Sequence, residues 1–184
     1  MSRPSEPLID LRKGEGRPAL LTFALLALLI GGHTLLETAR DALFLGKLPA
    51  NRLALVYALI AVLALFVSAA NARFVRRFGE GRALVTTLVV AAYGTTALYL
   101  QQPTPAVVFG LYAWSALLST VMVGQFWMFL AQVFTASQGK RLFGPIAAGG
   151  VLGAIVGAGA AAAALSFVQV RSLLIAAVIA FVLA

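Results

Sequence analysis

Long apolar runs separated by short polar breaks are the main pattern of this sequence. A helix needs about 20 mostly apolar residues to cross the hydrocarbon core of a bilayer. Strands of membrane barrels alternate apolar and polar residues, whereas the apolar runs here are continuous. The pattern therefore predicts an all-α membrane protein that forms a bundle of six transmembrane helices. The predicted spans cover residues 19–45, 52–70, 83–100, 106–134, 142–167 and 172–184.

The distribution of basic residues predicts the orientation of these spans. Residues 1–18 form a basic tail, and no clean signal-peptide cleavage site follows the first apolar run, so we expect an uncleaved first span. Lys and Arg concentrate in cytoplasmic loops. With the N-terminus inside, ten Lys and Arg residues lie on the cytoplasmic side and three on the outer side. This predicts a multi-pass protein of a bacterial-type inner (plasma) membrane with a cytoplasmic N-terminus.

Composition supports a membrane location and excludes several functions. Charged residues make up 11% of the chain and apolar residues 61%, whereas soluble domains carry about a quarter charged residues. The net charge of +8 does not indicate nucleic-acid binding, because the basic residues form short clusters between apolar runs. The chain has no Cys and one His, which excludes disulfides and thiol-ligated metals. We expect no metal, no cofactor and no nucleic-acid partner, with the lipid bilayer as the main partner.

The last apolar run is short. Residues 172–184 would extend about 20 Å as a helix, less than the thickness of the hydrocarbon core. We therefore expect the sequence to be a fragment, with a C-terminal portion of the same chain completing the protein.

Four polar or charged residues interrupt the first apolar run: His33, Glu37, Arg40 and Asp41. On a helix they fall within an arc of about 100°. Each charge at the bilayer centre costs about 2.5–3.5 kcal/mol. One interpretation is a substrate or coupling-ion site that faces a wet cavity, and the apolar residues 42–45 beyond the charges favour it. The other is an early helix end that leaves the charges at the membrane interface.

The fourth run contains Gln125, a polar residue in a predicted span. A glutamine in a span prefers the interior of a bundle, where it either hydrogen-bonds to a neighbouring helix or lines a substrate path. The sequence leaves both interpretations open.

The fifth run carries a stripe of small residues, Gly149, Gly153 and Gly157. Small residues at every fourth position allow two helix backbones to approach closely. A nucleotide-binding glycine loop is excluded, because no strand precedes the stripe and the Rossmann and Walker patterns are absent. The stripe therefore predicts close helix packing.

Two basic clusters follow the second and fourth runs. Arginine-rich segments of this kind act as topology signals and contact anionic lipids. A more specific interpretation is that they form a cytoplasmic gate. The predicted loops are residues 71–82 and 137–141. Their basic residues are Arg73, Arg76, Arg77, Arg82, Lys140 and Arg141.

Three stretches together resemble the nucleotide (ATP/ADP) translocase family, a divergent branch of the major facilitator superfamily. They are residues 37–45 with Leu48-Pro49, the pair Phe126-Trp127, and residues 140–153. Arg40-Asp41 is similar to a basic-acidic pair in the family's first helix, where proven exchangers often have lysine. The resemblance implies a twelve-helix fold of which this chain is the N-terminal half. It also implies exchange or uptake of nucleotides, with cationic side chains meeting phosphates.

Together these features predict a secondary transporter that moves an anionic small molecule, such as a nucleotide, by alternating access. The predicted substrate-binding residues are Glu37, Arg40 and Asp41, supported by His33 and Gln125. Arg40 would bind an anionic group, and Glu37 or Asp41 would pair with it in the empty state or carry a proton. The alternative is a non-transporting membrane sensor or anchor for a C-terminal soluble regulatory domain. An enzyme is not expected, because the sequence offers no nucleophile–base pair.

Overall fold

The computed structural model describes residues 11–184, and all regular structure in that range is helical. Residues 1–10 of the predicted basic tail lie outside the described residues. The six α-helices are α1 (Gly16–Lys47), α2 (Leu53–Phe78), α3 (Glu80–Leu100), α4 (Pro105–Val133), α5 (Ala136–Ala164) and α6 (Leu173–Leu183). Single turns of 3-10 helix, Ala50–Arg52 and Val170–Ser172, lead directly into α2 and α6.

Helices α1 to α5 are long and apolar enough to cross a membrane. The shortest of them, α3, has 21 residues and the longest, α1, has 32, which corresponds to about 31 and 48 Å. The chain is therefore a multi-pass helical membrane protein. The last apolar helix, Val170–Leu183 with its leading turn, is shorter than these, so the predicted count of six spans is not confirmed.

Local sequence explains where several helices begin. Thr104 caps α4 by accepting a hydrogen bond from the Val107 amide at 3.3 Å, and Pro105 occupies the first helical position. Thr135 and Gln138 form a reciprocal capping box at the start of α5. These caps place the start of α5 six residues earlier than the predicted fifth span. Lys140 and Arg141, predicted to lie in a loop, are therefore in its first turns.

The predicted loop at residues 71–82 is wrong. Helix α2 continues to Phe78 and α3 begins at Glu80, so Gly79 alone separates them. Gly79 has φ +83°, a backbone conformation that glycine adopts without a Cβ clash. Consequently Arg73, Arg76 and Arg77 lie on the last turns of α2. Arg82 lies in the first turn of α3.

Helix α1 lies at the centre of the bundle and packs against α4, α5 and α6. Helix α3 packs against α4 and α6, whereas α2 lies at the edge and contacts mainly α4. Most of the buried apolar side chains, including Leu36, Met122 and Phe126, form one core cluster around α1 and α4. The bundle therefore surrounds most of α1 and leaves α2 the most exposed of the five long helices.

The glycine stripe of α5 lies against the backbone of α1. A Cβ atom added at Gly149 would lie 2.5 Å from the carbonyl oxygen of Phe23. One added at Gly157 would lie 2.7 Å from the carbonyl oxygen of Gly31. A Cβ atom added at Gly153 would likewise overlap the carbonyl group of Ala27. Any larger residue at these positions would force the two helices apart.

Candidate functional site

Arg40 is a buried cation within α1, and its guanidinium is shared by several groups. Its Nε donates to Asp41 Oδ1 at 2.8 Å and its Nη1 donates to Ser115 Oγ on α4 at 2.9 Å. The same Nη1 lies 3.3 Å from Glu37 Oε1. The Arg40 side chain is only 9% exposed, whereas those of Glu37 and Asp41 are 43% and 51% exposed. The two carboxylates therefore connect a buried cation to an accessible surface.

An aromatic pair completes the surroundings of this guanidinium. The Arg40 guanidinium lies 4.2 Å from the centre of the Tyr112 ring on α4, which is cation–π geometry. The Tyr112 hydroxyl is 2.9 Å from the hydroxyl of Tyr57 on α2. The edge of Phe44 packs on Tyr112 with ring centres 5.1 Å apart. Three helices, α1, α2 and α4, therefore meet at Arg40.

His33 extends the cluster along α1. Its Nε2 lies 3.4 Å from Glu37 Oε1, so the two side chains are paired at i,i+4 spacing. Its Nδ1 is buried and has no hydrogen-bond partner among the described residues. A buried polar atom without a partner is costly, so His33 Nδ1 is an unsatisfied group beside the charged cluster.

The cluster lies inside α1 and not at its end. Helix α1 continues for seven residues beyond Arg40 to Lys47, which is about 10 Å. Ser115 lies ten residues after the start of α4, or about 15 Å from the same side of the bundle. Helix α1 therefore does not end at the charges, as one interpretation of the sequence expected, and the depth of the charges in the membrane stays a prediction.

Gln125 is not part of this cluster. It lies ten residues after Ser115 on α4, about 15 Å further along the helix axis. Its side chain is buried, and its Nε2 donates to Oδ1 of Asn71 on α2 at 2.6 Å. Its Oε1 is buried without a partner among the described residues. The contact that the structure shows for Gln125 is thus a hydrogen bond between helices.

The basic residues of the predicted gate fall into two environments. Arg141 donates two hydrogen bonds to Glu15, at 2.9 and 3.2 Å, and Gln138 donates a third at 3.1 Å. The bond from Arg141 is the main reason that the pKa of Glu15 is lowered to about 2. This cluster joins the start of α1 to the start of α5. Lys140 and the four arginines of α2 and α3 are exposed.

Sequence reasoning found the α1 members of the charged cluster and missed those on the other helices. The sequence did not predict Ser115, Tyr112 and Tyr57 as site residues, because single hydroxyl groups are common in apolar runs. The spacing of Tyr112 and Ser115, three positions apart on one helix face, was the signal available. Nothing in the sequence indicated that this face meets Arg40.

Comparisons of the chain with models of known protein families, with curated proteins and with solved structures found no match.

Proposed function

We propose that the protein is a secondary transporter that moves an anionic small molecule across a bacterial-type plasma membrane by alternating access. The observation that carries the proposal is Arg40, a buried guanidinium within a membrane helix that is paired with two half-exposed carboxylates. Ionisable groups inside membrane helices are costly, and they usually mark substrate or ion pathways. Replacing a buried ion pair by well-packed apolar residues is often neutral or stabilising, so stability alone does not account for this charge.

The geometry of the guanidinium suits exchange of one anion for another. Arg40 uses Nε for Asp41 and Nη1 for Ser115 and Glu37, while its Nη2 has no hydrogen-bond partner within residues 11–184. Guanidinium groups bind carboxylates and phosphates through two parallel N–H donors. An entering anionic group would use Nη2 and take over the place of one carboxylate.

The resemblance to nucleotide translocases makes a nucleotide the first substrate to test. In such a protein this chain would supply the N-terminal six-helix half, with its N-terminus in the cytoplasm. A second half would close the site from the opposite side, as inverted or paired repeats do in transporters. Glu37, Asp41 and His33 would hold Arg40 between substrates, when no anion is bound.

The test is uptake of labelled ATP or ADP into liposomes that contain the purified full-length protein and unlabelled nucleotide. We expect Arg40→Ala to reduce uptake roughly tenfold or more, since a hydrogen bond to a charged group is worth about 1.5–3 kcal/mol. Arg52→Ala is the matched control, because Arg52 is an exposed arginine next to α2. Uptake by Arg40→Ala equal to that of the unchanged protein would refute the proposed role.

The same preparation distinguishes the alternative of a membrane sensor. Saturable nucleotide binding that depends on Arg40, without any uptake or exchange, would support a sensor and overturn the transporter. Uptake of another organic anion in place of nucleotides would keep the transporter and change its substrate.

A further inference from the structure

A groove lies between α2, α3 and α4, away from the Arg40 cluster. It encloses a cavity of about 450 Å³, within the range of about 300–1,000 Å³ that is usual for small-molecule sites. Its walls are mostly apolar side chains such as Val67, Val90 and Leu118. Ala70, Thr86 and Val90 at its edge are exposed, so the groove opens sideways toward the surroundings of the bundle.

Three of the four polar side chains that line the groove form hydrogen bonds, and Thr87 is the fourth. Asn71 accepts the hydrogen bond from Gln125, and the indole nitrogen of Trp114 donates to Thr95 on α3 at 3.1 Å. The Thr86 hydroxyl donates to the carbonyl oxygen of Arg82 at 2.8 Å. A ligand in the groove would therefore find few free hydrogen-bonding groups along most of its length, which suits a hydrocarbon chain.

Basic residues lie at one end of the groove. Arg77 follows the groove residue Phe74 by three positions, and Arg82 precedes Thr86 by four. Residues at these spacings are neighbours on a helix face, so both arginines continue the groove walls toward Gly79. Arg76, two positions after Phe74, lies about 200° around α2 and faces away.

Both arginines lie at the surface, and the Arg77 guanidinium lies over the Phe78 ring, 5.4 Å from its centre. Within residues 11–184 neither Arg77 nor Arg82 forms an ion pair, and both side chains are exposed. The neighbouring Glu80 is buried, and its Oε2 has no partner in that range. The groove is apolar, opens to the side of the bundle and has a cationic end. These features are complementary to an anionic amphiphile.

We propose that this groove binds an anionic membrane phospholipid, with an acyl chain along α2, α3 and α4 and the head-group phosphate at Arg77 and Arg82. Lys and Arg residues next to a membrane attract anionic lipid head groups. The groove adds a fixed position for the chain. The proposal is independent of what Arg40 binds.

The two tryptophans of the chain provide a direct probe. Trp114 lines the groove, whereas Trp127 packs against Phe126 and Phe143 elsewhere. Within residues 1–184, Trp127→Phe therefore leaves Trp114 as the single tryptophan. Tryptophans outside this range are also replaced by phenylalanine. The full-length variant is placed in phosphatidylcholine vesicles that contain increasing fractions of a lipid brominated in mid-chain. The brominated lipid is phosphatidylglycerol in one series and phosphatidylcholine in the other. Bromine quenches tryptophan on contact, so quenching reports the occupant of the groove.

We expect brominated phosphatidylglycerol to quench Trp114 at a roughly tenfold lower fraction than brominated phosphatidylcholine. The double variant Arg77→Gln/Arg82→Gln should lose this preference. The control Arg76→Gln/Lys140→Gln removes the same charge from exposed positions of the same side and should keep it. Soluble glycerol phosphate should not relieve the quenching, because it lacks the chain.

Three results would overturn the proposal. Equal quenching by the two lipids would show no selectivity for an anionic head group. Equal loss in both double variants would show diffuse surface attraction without a site. Relief of quenching by glycerol phosphate would show a site for the phosphate alone.

Discussion

Arg40 combines partners of different chemistry around one guanidinium. The two carboxylates balance its charge, Ser115 accepts a hydrogen bond, and the Tyr112 ring covers its face. Removing one partner of a buried charge costs more than the net worth of the pair, because the remaining charge is left uncompensated. Lysine cannot reproduce the arrangement, since an ammonium group lacks the planar fork that reaches several acceptors at once.

Glu15 gives the protein an acid-sensitive contact between the starts of α1 and α5. Its pKa is lowered from 4.5 to about 2, first by the hydrogen bond from Arg141. A carboxylate whose pKa is lower in the folded than in the unfolded state stabilises the fold above the unfolded pKa. We therefore expect this contribution to be complete above about pH 5 and to disappear as the pH falls toward 2.

The measurement is thermal unfolding in detergent between pH 7 and pH 2, for the unchanged protein and for Glu15→Gln. The difference in stability between the two should be constant from pH 7 to pH 5 and should shrink below that range. Arg17→Gln is the control for loss of an exposed charge at the same end of α1, because Arg17 is exposed and forms no ion pair in the described part of the chain. A difference that stays constant down to pH 2 would contradict the predicted role.

Sequence could predict the members of the Arg40 cluster that share one helix, and it could not predict the rest. His33, Glu37, Arg40 and Asp41 lie close together in sequence, and helical periodicity alone puts them on one face. Ser115 is 75 positions away from Arg40. Its contact depends on how α4 is rotated and shifted against α1, which side-chain packing determines and periodicity does not.

At the scale of helices, the contact between α1 and α5 depends on the absence of side chains. Without Cβ atoms at Gly149, Gly153 and Gly157, the α5 backbone lies against carbonyl groups of α1. Such contacts gain dispersion energy and weak Cα–H···O interactions. The three glycines share one stripe, so the interface extends over two turns of α5.

Gly153→Ala should destabilise the protein by about 1–3 kcal/mol, because the added methyl group would overlap the Ala27 carbonyl group and force the helices apart. Gly159→Ala is the control on the same helix, since nothing lies within 4 Å of the position of its Cβ. That change should leave stability unchanged or raise it by up to about 1 kcal/mol through helix propensity. Unfolding in detergent measures both, and equal effects would contradict the close contact.

Helix lengths show what hydropathy can and cannot indicate. The apolar runs identified α1 to α5 because each run corresponds to the part of the helix that is apolar enough to lie in the hydrocarbon core. They ended the second span at residue 70, whereas α2 continues to Phe78. Arginine is a good helix former, so a basic segment can leave the hydrocarbon without leaving the helix.

At the scale of the whole molecule, alternating helices place successive connections on opposite sides. The segment between α3 and α4 and the segment between α4 and α5 therefore face different compartments. With the N-terminus in the cytoplasm, as the basic residues predict, residue 102 faces outward and residue 137 faces the cytoplasm. Residues 1–184 contain no cysteine, so single cysteines can report both positions once any cysteine outside this range is replaced.

We expect a membrane-impermeant maleimide to label Gln102→Cys on intact cells, and to label Ser137→Cys only after the membrane is opened. Both positions are exposed, so a difference in labelling reports the side of the membrane. The cysteine-free parent is the control for background. Labelling of Ser137→Cys alone on intact cells would reverse the predicted orientation.

The one-residue connection at Gly79 has a consequence for how the protein is made. Because Gly79 alone joins α2 to α3, the two helices form a tight hairpin with Gly79 at its tip. The arginines on either side of Gly79 make passage of that tip through hydrocarbon costly, at about 2.5–3.5 kcal/mol for each charge. We therefore expect the tip to stay on the cytoplasmic side during synthesis, which would fix the orientation that the basic residues predict for both helices.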